Sequence, residues 1–433
     1  AINLAGPLHV ANRPILGSSA EAIDVAEDRS RFEGFLAGLG IPQPPGAGVT
    51  NIEDALATAQ RIEYPVLVRP SYVLGGRAME IVQNASELVQ FVAVAEEANP
   101  GKPILIDKYI EGREVEVDAI CDGEAVLIPG VMEHIERAGV HSGDSMAVYP
   151  PINLSEQELA TVVDYTQRIG LALHVRGLMN VQYVIIRGDE GSEVFVLEVN
   201  PRSSRTVPFL SKVTGVPMVR LATLIMLGRS LRDQGYEGGL WPARHLVAVK
   251  APAFSMSKLI GVDTYLGPEM KSTGEVMGVD RTFPAALAKA ILSAELALPP
   301  GGAMLLSIAD QHKPEAVPIV GQLVEAGFRL YATEGTAAML ATLGLPVEQV
   351  TKRLSEGHPN VVDVIRDGTV DGAINISEGR LTGTLRDGFH IRRAAAERRI
   401  PCFTSLDTAR AAAGALLAGA QTFTIQPLKS YLE

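Results

Sequence analysis

The stretch Val194-Phe195-Val196-Leu197-Glu198-Val199-Asn200-Pro201-Arg202 is the most informative part of the sequence. Its apolar run predicts a β-strand, in which residues two apart face the same side. Glu198 and Asn200 therefore point together, while Leu197 and Val199 pack inward. A carboxylate beside a carboxamide oxygen offers hard ligands suited to magnesium, which usually also takes substrate phosphates and waters.

The neighbourhood of this strand adds groups of the same chemistry. Residues 181–186 predict a paired strand, joined to the first through a turn at residues 188–191, and Gln182 would add another oxygen. Arg202 and Arg205 follow the strand end, where cations beside metal ligands stabilise a transferring phosphoryl group. A solvated polar strand edge would carry the same acid and amide, and the two arginines favour the metal interpretation.

A second polar constellation is the loop at residues 71–77, which follows a predicted strand at residues 64–70. Two adjacent glycines let backbone N–H groups approach phosphate oxygens, and Arg69 and Arg77 would supply positive charge. The loop has neither the Gly-Lys-Ser/Thr of a Walker A motif nor the Gly-x-Gly-x-x-Gly of dinucleotide-binding folds. Because a paired glycine is usually just a turn, this motif is weak by itself.

Further acids and histidines lie between these motifs. Residues 114–121 predict a strand, and Asp122-Gly123 predicts a hairpin turn into a strand at residues 124–131. A lone histidine, such as His134 or His141, is more often structural than catalytic. Three acids of the first strand share one face, which is usually solvated, although one acid could bind ribose hydroxyls. They are Glu114, Glu116 and Asp118.

The rest of the chain predicts a helical region and a C-terminal α/β unit. Residues 1–26 predict a helix, a short strand at residues 14–17 and another helix, whereas residues 206–298 predict mostly helix. The Pro-Pro-Gly-Gly sequence at residues 299–302 is the clearest linker. After it, strands alternate with helices, which predicts a small doubly wound domain with a parallel sheet. These strands are residues 303–308, 328–333 and 372–376.

Composition restricts the class of protein. The 433 residues are 47% apolar and 20% charged, as in a globular chain of several domains, and their formal charge of −12 argues against nucleic-acid binding. Two cysteines, Cys121 and Cys402, are too few for a disulfide scaffold and fit a reducing cytoplasm. Apolar runs fall short of the ~20 residues that a membrane helix needs. Because the chain starts without Met and enters a fold partway through, we expect it to be a fragment.

Four motifs, in this order, resemble the carbamoyl phosphate synthetase large-subunit family, in particular its C-terminal, carbamate-phosphorylating half. The resemblance continues through residues 267–278 and covers nearly the whole chain. Arg-Ala-Met-Glu after the double glycine favours the carbamate half over the bicarbonate half. The motifs are Arg-Pro-Ser-Tyr-Val-Leu-Gly-Gly-Arg-Ala-Met-Glu (69–80), Gly-Val-His-Ser-Gly-Asp-Ser (139–145), Arg-Gly-Leu-Met-Asn-Val-Gln (176–182) and Glu-Val-Asn-Pro-Arg (198–202).

The resemblance implies a multidomain α/β and α+β architecture. It would consist of an ATP-grasp fold, a helical linker region and a doubly wound C-terminal domain similar to methylglyoxal synthase. The implied boundaries are 1–26 for a remnant of the pre-ATP-grasp domain, 27–230 for the ATP-grasp domain, 231–300 for the remainder of the synthetase half and the linker, and 301–433 for the regulatory domain.

The resemblance also implies a reaction, in which ATP and carbamate give ADP and carbamoyl phosphate. Arg202 and Arg205 would face the carbamate and the transferred phosphate. Gln182, Glu198 and Asn200 would hold two magnesium or manganese ions, and potassium is a further candidate cofactor. The implied ATP contacts are Gln182 and Glu198 again, together with Arg29, Arg69, Lys108, Ile110, Glu114, Gly139, Val140, His141 and Ser142.

The implied partners follow from what this chain lacks. No Cys/His/Glu set is typical of a glutaminase nucleophile, so nitrogen would arrive as ammonia from a glutaminase small subunit. The carbamate would form in the N-terminal half of the large subunit, and the product would serve pyrimidine and arginine biosynthesis. We expect the chain alone to be a poor catalyst because part of the preceding domain is missing, and we expect no nucleic-acid or membrane partner.

In the C-terminal domain, the resemblance implies a site for a UMP- or IMP-type nucleotide. Residues 333–336 open a predicted helix at residues 337–343, and a helix N-terminus favours phosphate. Glu334 adds a negative charge there, and Ser377 stands where a threonine is common. Ala251 stands where ornithine-regulated relatives place a third acid, which argues against ornithine activation. The implied nucleotide contacts are Lys313, Thr333, Thr336, Lys352, Asn375 and Ser377.

Two alternative interpretations stay open. Another ATP-grasp ligase, such as a biotin-carboxylase-like protein, would use the same metal strand and glycine loop. A regulatory or assembly module without turnover would carry the same C-terminal domain. The motif at residues 139–145 favours the synthetase, and turnover that depends on carbamate would separate it from both alternatives.

Overall fold

The computed structural model describes residues 2–13, 15–70, 79–98, 101–189, 191–255, 263–352, 357–377, 384–418 and 424–432. The glycine loop at residues 71–77, including Arg77, therefore lies outside the described residues, as does Pro14. The strand predicted at residues 14–17 is wrong for its described part, because residues 16–18 form a bend in which Gly17 has φ 100°. Three helices open the chain: α1 (Ile2–Val10), α2 (Ala20–Glu27) and α3 (Arg29–Gly38).

A four-stranded antiparallel sheet follows these helices. Its strand order is β1 (Gly46–Val49), β4 (Ile104–Lys108), β2 (Val66–Pro70) and β3 (Glu80–Val82). Alternate β2 residues, Val66 and Val68, are fully buried in a core cluster with α4 (Ile52–Ile62) and α5 (Ala85–Ala98). Because successive residues of a strand face opposite sides, Arg69 points away from the core that Val66 and Val68 enter.

A nine-stranded sheet forms the larger second layer. Its main path is β10 (Gly191–Asn200), β9 (Gly177–Gly188), β5 (Arg113–Cys121), β7 (Val131–Arg137), β8 (Ala147–Tyr149), β12 (Val247–Ala253) and β13 (Gly274–Asp280); β6 (Val126–Ile128) pairs with β5, and β11 (Gly239–Leu240) pairs with β6. The helices of this region are α6 (Glu156–Ala172), α7 (Val207–Thr214), α8 (Met218–Met226) and α9 (Phe283–Ser293). Across the described ranges no single helix is long and apolar enough to cross a membrane, although α7 and α8, bent by 113°, meet the length and composition criteria as a pair.

Alternation along the central strands separates the two faces of this sheet. On β5, Val115, Val117 and Ala119 belong to a core cluster shared with α3 and α6. The acids between them face the other side, as the sequence predicts, but they are buried rather than solvated. The hairpin predicted at residues 188–191 is confirmed, and the one at Asp122-Gly123 leads into β6, which is shorter than the predicted strand at residues 124–131.

Residues 206–298 do not form the mostly helical region that the sequence predicts. Helices α7, α8 and α9 are present, but β11, β12 and β13 lie between α8 and α9. β12 contains several small residues with weak strand preference. It is a strand because it hydrogen-bonds to β8 on one side and β13 on the other. Tertiary pairing here overrides a weak local signal.

The C-terminal unit is the doubly wound parallel sheet that the sequence predicts. Core clusters cover both faces, with helices at residues 313–325, 334–342 and 406–417 on one and helices at residues 361–366 and 384–398 on the other. The strand order is β16 (Glu348–Val350), β15 (Arg329–Thr333), β14 (Ala303–Ile308), β17 (Gly372–Ile376) and β18 (Cys402–Phe403). The helices are α10 (Lys313–Glu325), α11 (Glu334–Thr342), α12 (Val361–Arg366), α13 (Thr384–Arg398) and α14 (Leu406–Leu417), with α15 (Leu428–Leu432) at the end.

The linker at residues 299–302 does not divide the hydrophobic core. One cluster contains Val249 of β12, Ile291 of α9 and Leu306 of β14. The core of the C-terminal domain is therefore continuous with the packing on the large sheet. A change in the packing of the C-terminal domain can be transmitted to the large sheet through this shared core.

Candidate active site

The β9–β10 hairpin brings together the three predicted metal ligands. Gln182 lies opposite Glu198, and a register shift at Leu197 keeps Glu198 and Asn200 on the polar face. Gln182 Nε2 and Asn200 Nδ2 both donate to Glu198 Oε1, each at 2.9 Å. The Glu198 carboxylate therefore accepts hydrogen bonds from both amides, one on β9 and one on β10.

The chemistry of this Glu198 cluster fits a hard divalent cation. Each amide, turned about its last torsion, presents an oxygen where it now presents N–H, and Glu198 supplies negative charge. Among the residues with described positions, no group of three or more His, Cys, Asp or Glu side chains could hold a metal ion. A cation site here therefore depends on amide oxygens as well as on the carboxylate.

The two predicted catalytic arginines make different contacts. Arg202 is exposed and donates from Nη2 to Asn200 Oδ1 at 2.9 Å. Arg205 is half-buried and donates from Nη1 to Ser272 Oγ at 2.9 Å. A cavity of about 320 Å³ opens beside Arg205, and the charged residues that line it with Arg205 are Lys212, Lys250 and Glu275.

The predicted ATP loop, residues 139–142, reaches the Glu198 cluster through Ser142. Ser142 Oγ accepts a hydrogen bond from Gln182 Nε2 at 3.1 Å. His141 is anchored from the other side, because its backbone N–H donates to Gly267 O at 2.8 Å. Burial lowers the pKa of His141 against the opposing charges of nearby acids, which favours the neutral ring.

Arg29 and Arg69 are held together by an acid that the sequence interpretation missed. Arg29 Nη2 lies 2.7 Å from Asp107 Oδ1, and Arg69 Nε donates to Asp107 Oδ2 at 3.1 Å. Lys108, the next residue, donates from Nζ to two backbone carbonyl oxygens at 3.1 and 3.3 Å, and Ile110 follows β4. A carboxylate directly after the apolar residues 104–106 of β4 was the signal for Asp107.

Glu114, an implied ATP contact, is bonded within a buried network. His134 Nδ1 lies 2.9 Å from Glu114 Oε2, and Nε2 lies 3.3 Å from Glu116 Oε2. Burial opposes the charged ring, but the two carboxylates outweigh burial and raise the pKa of His134 to about 9. Asn180 donates to Glu116 at 2.8 Å and to Asp118 at 3.1 Å. An imidazolium and an amide thus hold three acids together beside the Glu198 cluster.

Two further charged residues were not identified from the sequence. Lys250 is fully buried, donates from Nζ to Ser142 O at 2.8 Å and lies 3.8 Å from Glu275 Oε1. Glu27, at the end of α2, has a pKa raised by burial and then by the charge of Glu198. The partners of Lys250 and Glu27 are far from them in sequence, so the proximity of both residues to the site is visible only in the folded structure.

The implied nucleotide contacts of the C-terminal domain gather at the carboxyl ends of its parallel strands, where such sheets place ligand sites. Lys313 Nζ donates to Gly335 O at 2.7 Å, which places the ammonium at the start of α11. The backbone N–H of Lys352 donates to Glu334 Oε1 at 3.3 Å. Asn375, at the end of β17, joins them from the neighbouring strand.

The hydroxyls of this site differ in their availability. Thr336 Oγ1 accepts from Ile308 N at 3.1 Å and donates to Ile308 O at 3.3 Å, so it is already engaged. Ser377 Oγ is buried and, in the portion of the chain described, has no hydrogen-bond partner. The predicted helix at 337–343 begins earlier, at Glu334, because Thr333 is extended and serves as the N-cap residue. Glu334 therefore lies inside the first turn, next to the predicted phosphate position.

Comparisons with known proteins match both halves of the chain. Residues 28–234 match a family model described as carbamoyl-phosphate synthase L chain, ATP binding domain, and residues 315–404 match an MGS-like domain. A carbamoyl phosphate synthase large chain from Thermomicrobium roseum is 61% identical over 431 residues, which is 100% of this chain and 40% of that relative. The chain therefore spans about two fifths of the relative's length.

Solved structures with a similar fold include biotin-carboxylase domains. A biotin carboxylase from Campylobacter jejuni, in a β,γ-ATP complex, superimposes with a TM-score of 0.54 at 19% identity, covering 68% of this chain and 71% of that one. The biotin carboxylase domain of a 2-oxoglutarate carboxylase from Hydrogenobacter thermophilus gives 0.53 at 18% identity, covering 67% and 71%. At these identities the similarity shows the ATP-grasp fold alone.

Proposed function

We propose that this chain, which is similar to carbamoyl phosphate synthase large chains, phosphorylates carbamate with ATP in its ATP-grasp half, giving carbamoyl phosphate and ADP. The observation that carries this proposal is the Glu198 cluster, flanked by Arg202 and by the His141 loop. An oxygen-ligand cluster, a nearby arginine and a nucleotide loop are the parts that phosphoryl transfer needs.

Charge and position would do most of the chemical work. Gln182, Glu198 and Asn200 would hold magnesium or manganese, which when bound neutralises phosphate charge. Arg202 is positioned to stabilise the charge of the transferred group. No covalent enzyme nucleophile is needed for this transfer, because carbamate oxygen attacks the γ-phosphorus directly.

The cavity beside Arg205 supports a small anionic substrate. Its charged lining contains three cations, Arg205, Lys212 and Lys250, and one acid, Glu275. Burial raises the pKa of Glu275, and the charge of Lys250 opposes this shift. With three cations and one acid, this cavity of about 320 Å³ is large enough for carbamate, and Arg205 is the implied catalytic residue that lines it.

The remaining parts of the proposal concern the whole enzyme. Carbamate would come from the N-terminal half of the large chain, fed with ammonia by a glutaminase subunit in the cytoplasm, and potassium remains a further candidate cofactor. The product would enter pyrimidine and arginine biosynthesis. The family relationship supports these roles; the contacts of the described residues concern only the phosphorylation step.

The C-terminal domain would bind a UMP- or IMP-type nucleotide near Lys313 and Lys352. An ornithine response is disfavoured by more than Ala251. Glu136, which matches one of the two acids that ornithine-regulated relatives place beside that position, already accepts hydrogen bonds from Thr408 Oγ1 and Met146 N, both at 2.7 Å. One of the acids that would hold an ornithine ammonium is thus bonded within the protein.

Carbamate-dependent release of ADP tests the proposed reaction. Freshly dissolved ammonium carbamate should accelerate ADP release by the chain in the presence of magnesium, whereas biotin with bicarbonate should not. ADP release that depends on biotin, or that ignores carbamate, would contradict the proposal.

A further inference from the structure

Arg392 of α13 is the largest side chain that the described structure buries completely, with 0% exposure. Its Nη1 donates to Asn375 Oδ1 at 2.5 Å, while Nε and Nη2 donate to the two carboxylate oxygens of Asp263 at 2.6 Å each. Bidentate pairing of this kind fixes orientation as well as distance. Arg392 therefore ties an implied nucleotide contact of the C-terminal domain to the synthetase half.

Residues of both domains pack closely around the Arg392 guanidinium. A Cβ atom at Gly388, one turn before Arg392 on α13, would lie 2.6 Å from Arg392 Nη1 and 3.1 Å from Asn375 Oδ1, so a side chain there would crowd both groups. On the other side, the guanidinium carbon lies 5.6 Å from the centroid of the Tyr265 ring, within range of a cation–π contact. The buried charge is thus enclosed by partners from both domains.

Residues 263–272 lead from Asp263 to the predicted ATP site. Gly267 O accepts the backbone N–H of His141 at 2.8 Å. The backbone N–H groups of the last two residues of this segment donate to Asp144 at 2.7 and 2.8 Å. The hydroxyl of its final residue accepts from Arg205 at 2.9 Å. One segment therefore supports both the ATP loop and an implied catalytic arginine.

We propose that Arg392 is a positioning residue for the ATP site, and that a nucleotide bound beside Asn375 alters synthesis through the Arg392–Asp263 pair. The regulatory part of this inference rests on the proposed function. Because Asn375 Oδ1 is already bonded to Arg392, a ligand that engages Asn375 changes the free energy of the pair. Coupling between two sites is reciprocal for binding, so ADP at the His141 loop would change nucleotide affinity by the same factor.

ADP affinity is the direct test of the positioning role, measured by calorimetry on the 433-residue chain. Asp263→Asn keeps the side-chain shape but removes the charge that Arg392 holds, and it should weaken ADP binding about fivefold, the lower end of common coupling. Asp263→Glu, which restores the charge, should recover most of the loss. Asp164→Asn is the matched control, because Asp164 pairs with Arg168 on the exposed face of α6 and should leave ADP affinity unchanged.

The regulatory part has its own readout. UMP or IMP at saturation should change the ADP affinity of the unmodified chain and should lose that effect in Asp263→Asn, while still binding. A retained effect, or no effect in the unmodified chain, overturns this part.

Equal ADP affinity in Asp263→Asn and Asp164→Asn overturns the positioning role. Arg392→Lys, a change in the C-terminal domain, keeps the positive charge but removes the bidentate pair with Asp263. If Asp263→Asn does not fold, the ADP affinity of Arg392→Lys tests the positioning role instead. Calorimetry needs no turnover, so ADP binding without carbamate-dependent ADP release would contradict the proposed function and leave the positioning result standing.

Discussion

The two sites of this molecule are built in different ways. The Glu198 cluster lies on the face of an antiparallel sheet, where strand register sets Gln182 opposite Glu198. The C-terminal site lies at the ends of parallel strands, where the groups are contributed by helix starts and loops. In two of its implied contacts, Thr336 and Asn375, the side-chain oxygen already accepts a hydrogen bond from another residue of the protein.

The difference concerns how much of each site is fixed before a ligand arrives. On the sheet, the amides of Gln182 and Asn200 donate hydrogen bonds to Glu198. A cation could replace these hydrogen bonds if the amide groups turned, with little movement of the backbone. In the C-terminal domain, Glu334 opposes a phosphate and the hydroxyl of Thr336 is not free. We therefore expect substitutions on the sheet face to have larger effects than substitutions in the C-terminal site.

The largest effect should come from the buried acids of the sheet. His134→Leu leaves Glu114 and Glu116 buried without their shared cation, and removing one partner of a buried ion pair commonly costs about 3–5 kcal/mol. Urea denaturation should show this loss of unfolding free energy. The exposed His9→Leu is the control, and a loss below about 1 kcal/mol for His134→Leu would mean that the network is not ionic.

The next effect concerns rate rather than stability. Glu198→Gln removes the only charge among the three implied metal ligands, and carbamate-dependent ADP release should fall about 10²–10³-fold with folding nearly unchanged. Glu193→Gln alters an exposed acid of the same strand and should retain full activity. Near-normal release by Glu198→Gln would remove the Glu198 cluster from the reaction.

A smaller effect is expected in the C-terminal domain. Lys352→Ala should weaken UMP or IMP binding about tenfold, the value of one charge-assisted contact, and less if Glu334 offsets it. Calorimetry should use the whole chain, because the C-terminal core is continuous with the large sheet. Arg329→Ala, an exposed change on β15, is the control. Binding weaker than millimolar in the unmodified chain, or unaffected by Lys352→Ala, contradicts the site.

A further effect, on the pH dependence of stability, links the two regions. Burial raises the pKa of Glu136 to about 7 from 4.5, although bonds from Thr408 and Met146 oppose this. The folded state therefore keeps the proton to higher pH than the unfolded state, and this contribution to stability is present below pH 4.5 and lost as pH rises through about 7. Denaturation at pH 5 to 8 should show a decline that Glu136→Gln flattens and the exposed Glu124→Gln does not. Parallel curves for all three chains would contradict the assignment.

Local pattern predicted those parts of the molecule whose signals are local. The apolar run before Glu198 and the turn at residues 188–191 predicted the β9–β10 hairpin, and the strand at residues 303–308 has the predicted bounds. The inward packing predicted for Leu197 is wrong, because the register shift leaves it half-buried outside the core cluster. β12 and β13 were missed because their pairing depends on distant strands. Lys250 was missed because nothing near it in sequence shows that it supports Ser142.

The same distinction applies to the candidate site. The implied ligands on β9 and β10 are brought together as predicted, whereas Asp107, which joins Arg29 to Arg69, depends on three separate segments. Helix α11 begins three residues earlier than predicted, because Thr333, a residue type favoured at the N-cap, precedes the first helical residue. Side-chain roles that depend on tertiary contacts are therefore the ones that sequence patterns left out.

ATP formation from ADP and carbamoyl phosphate tests the central claim most directly, because only a carbamate-phosphorylating site can run this reaction backwards. Luciferase detection should show ATP accumulating, even if slowly, when magnesium is present, and stopping when magnesium is chelated or when Glu198 is changed to Gln. The Glu193→Gln chain should match the unmodified one. ATP formation that survives both chelation and Glu198→Gln, or no ATP from a folded chain that binds ADP, would contradict the assignment of carbamate phosphorylation to the Glu198 cluster.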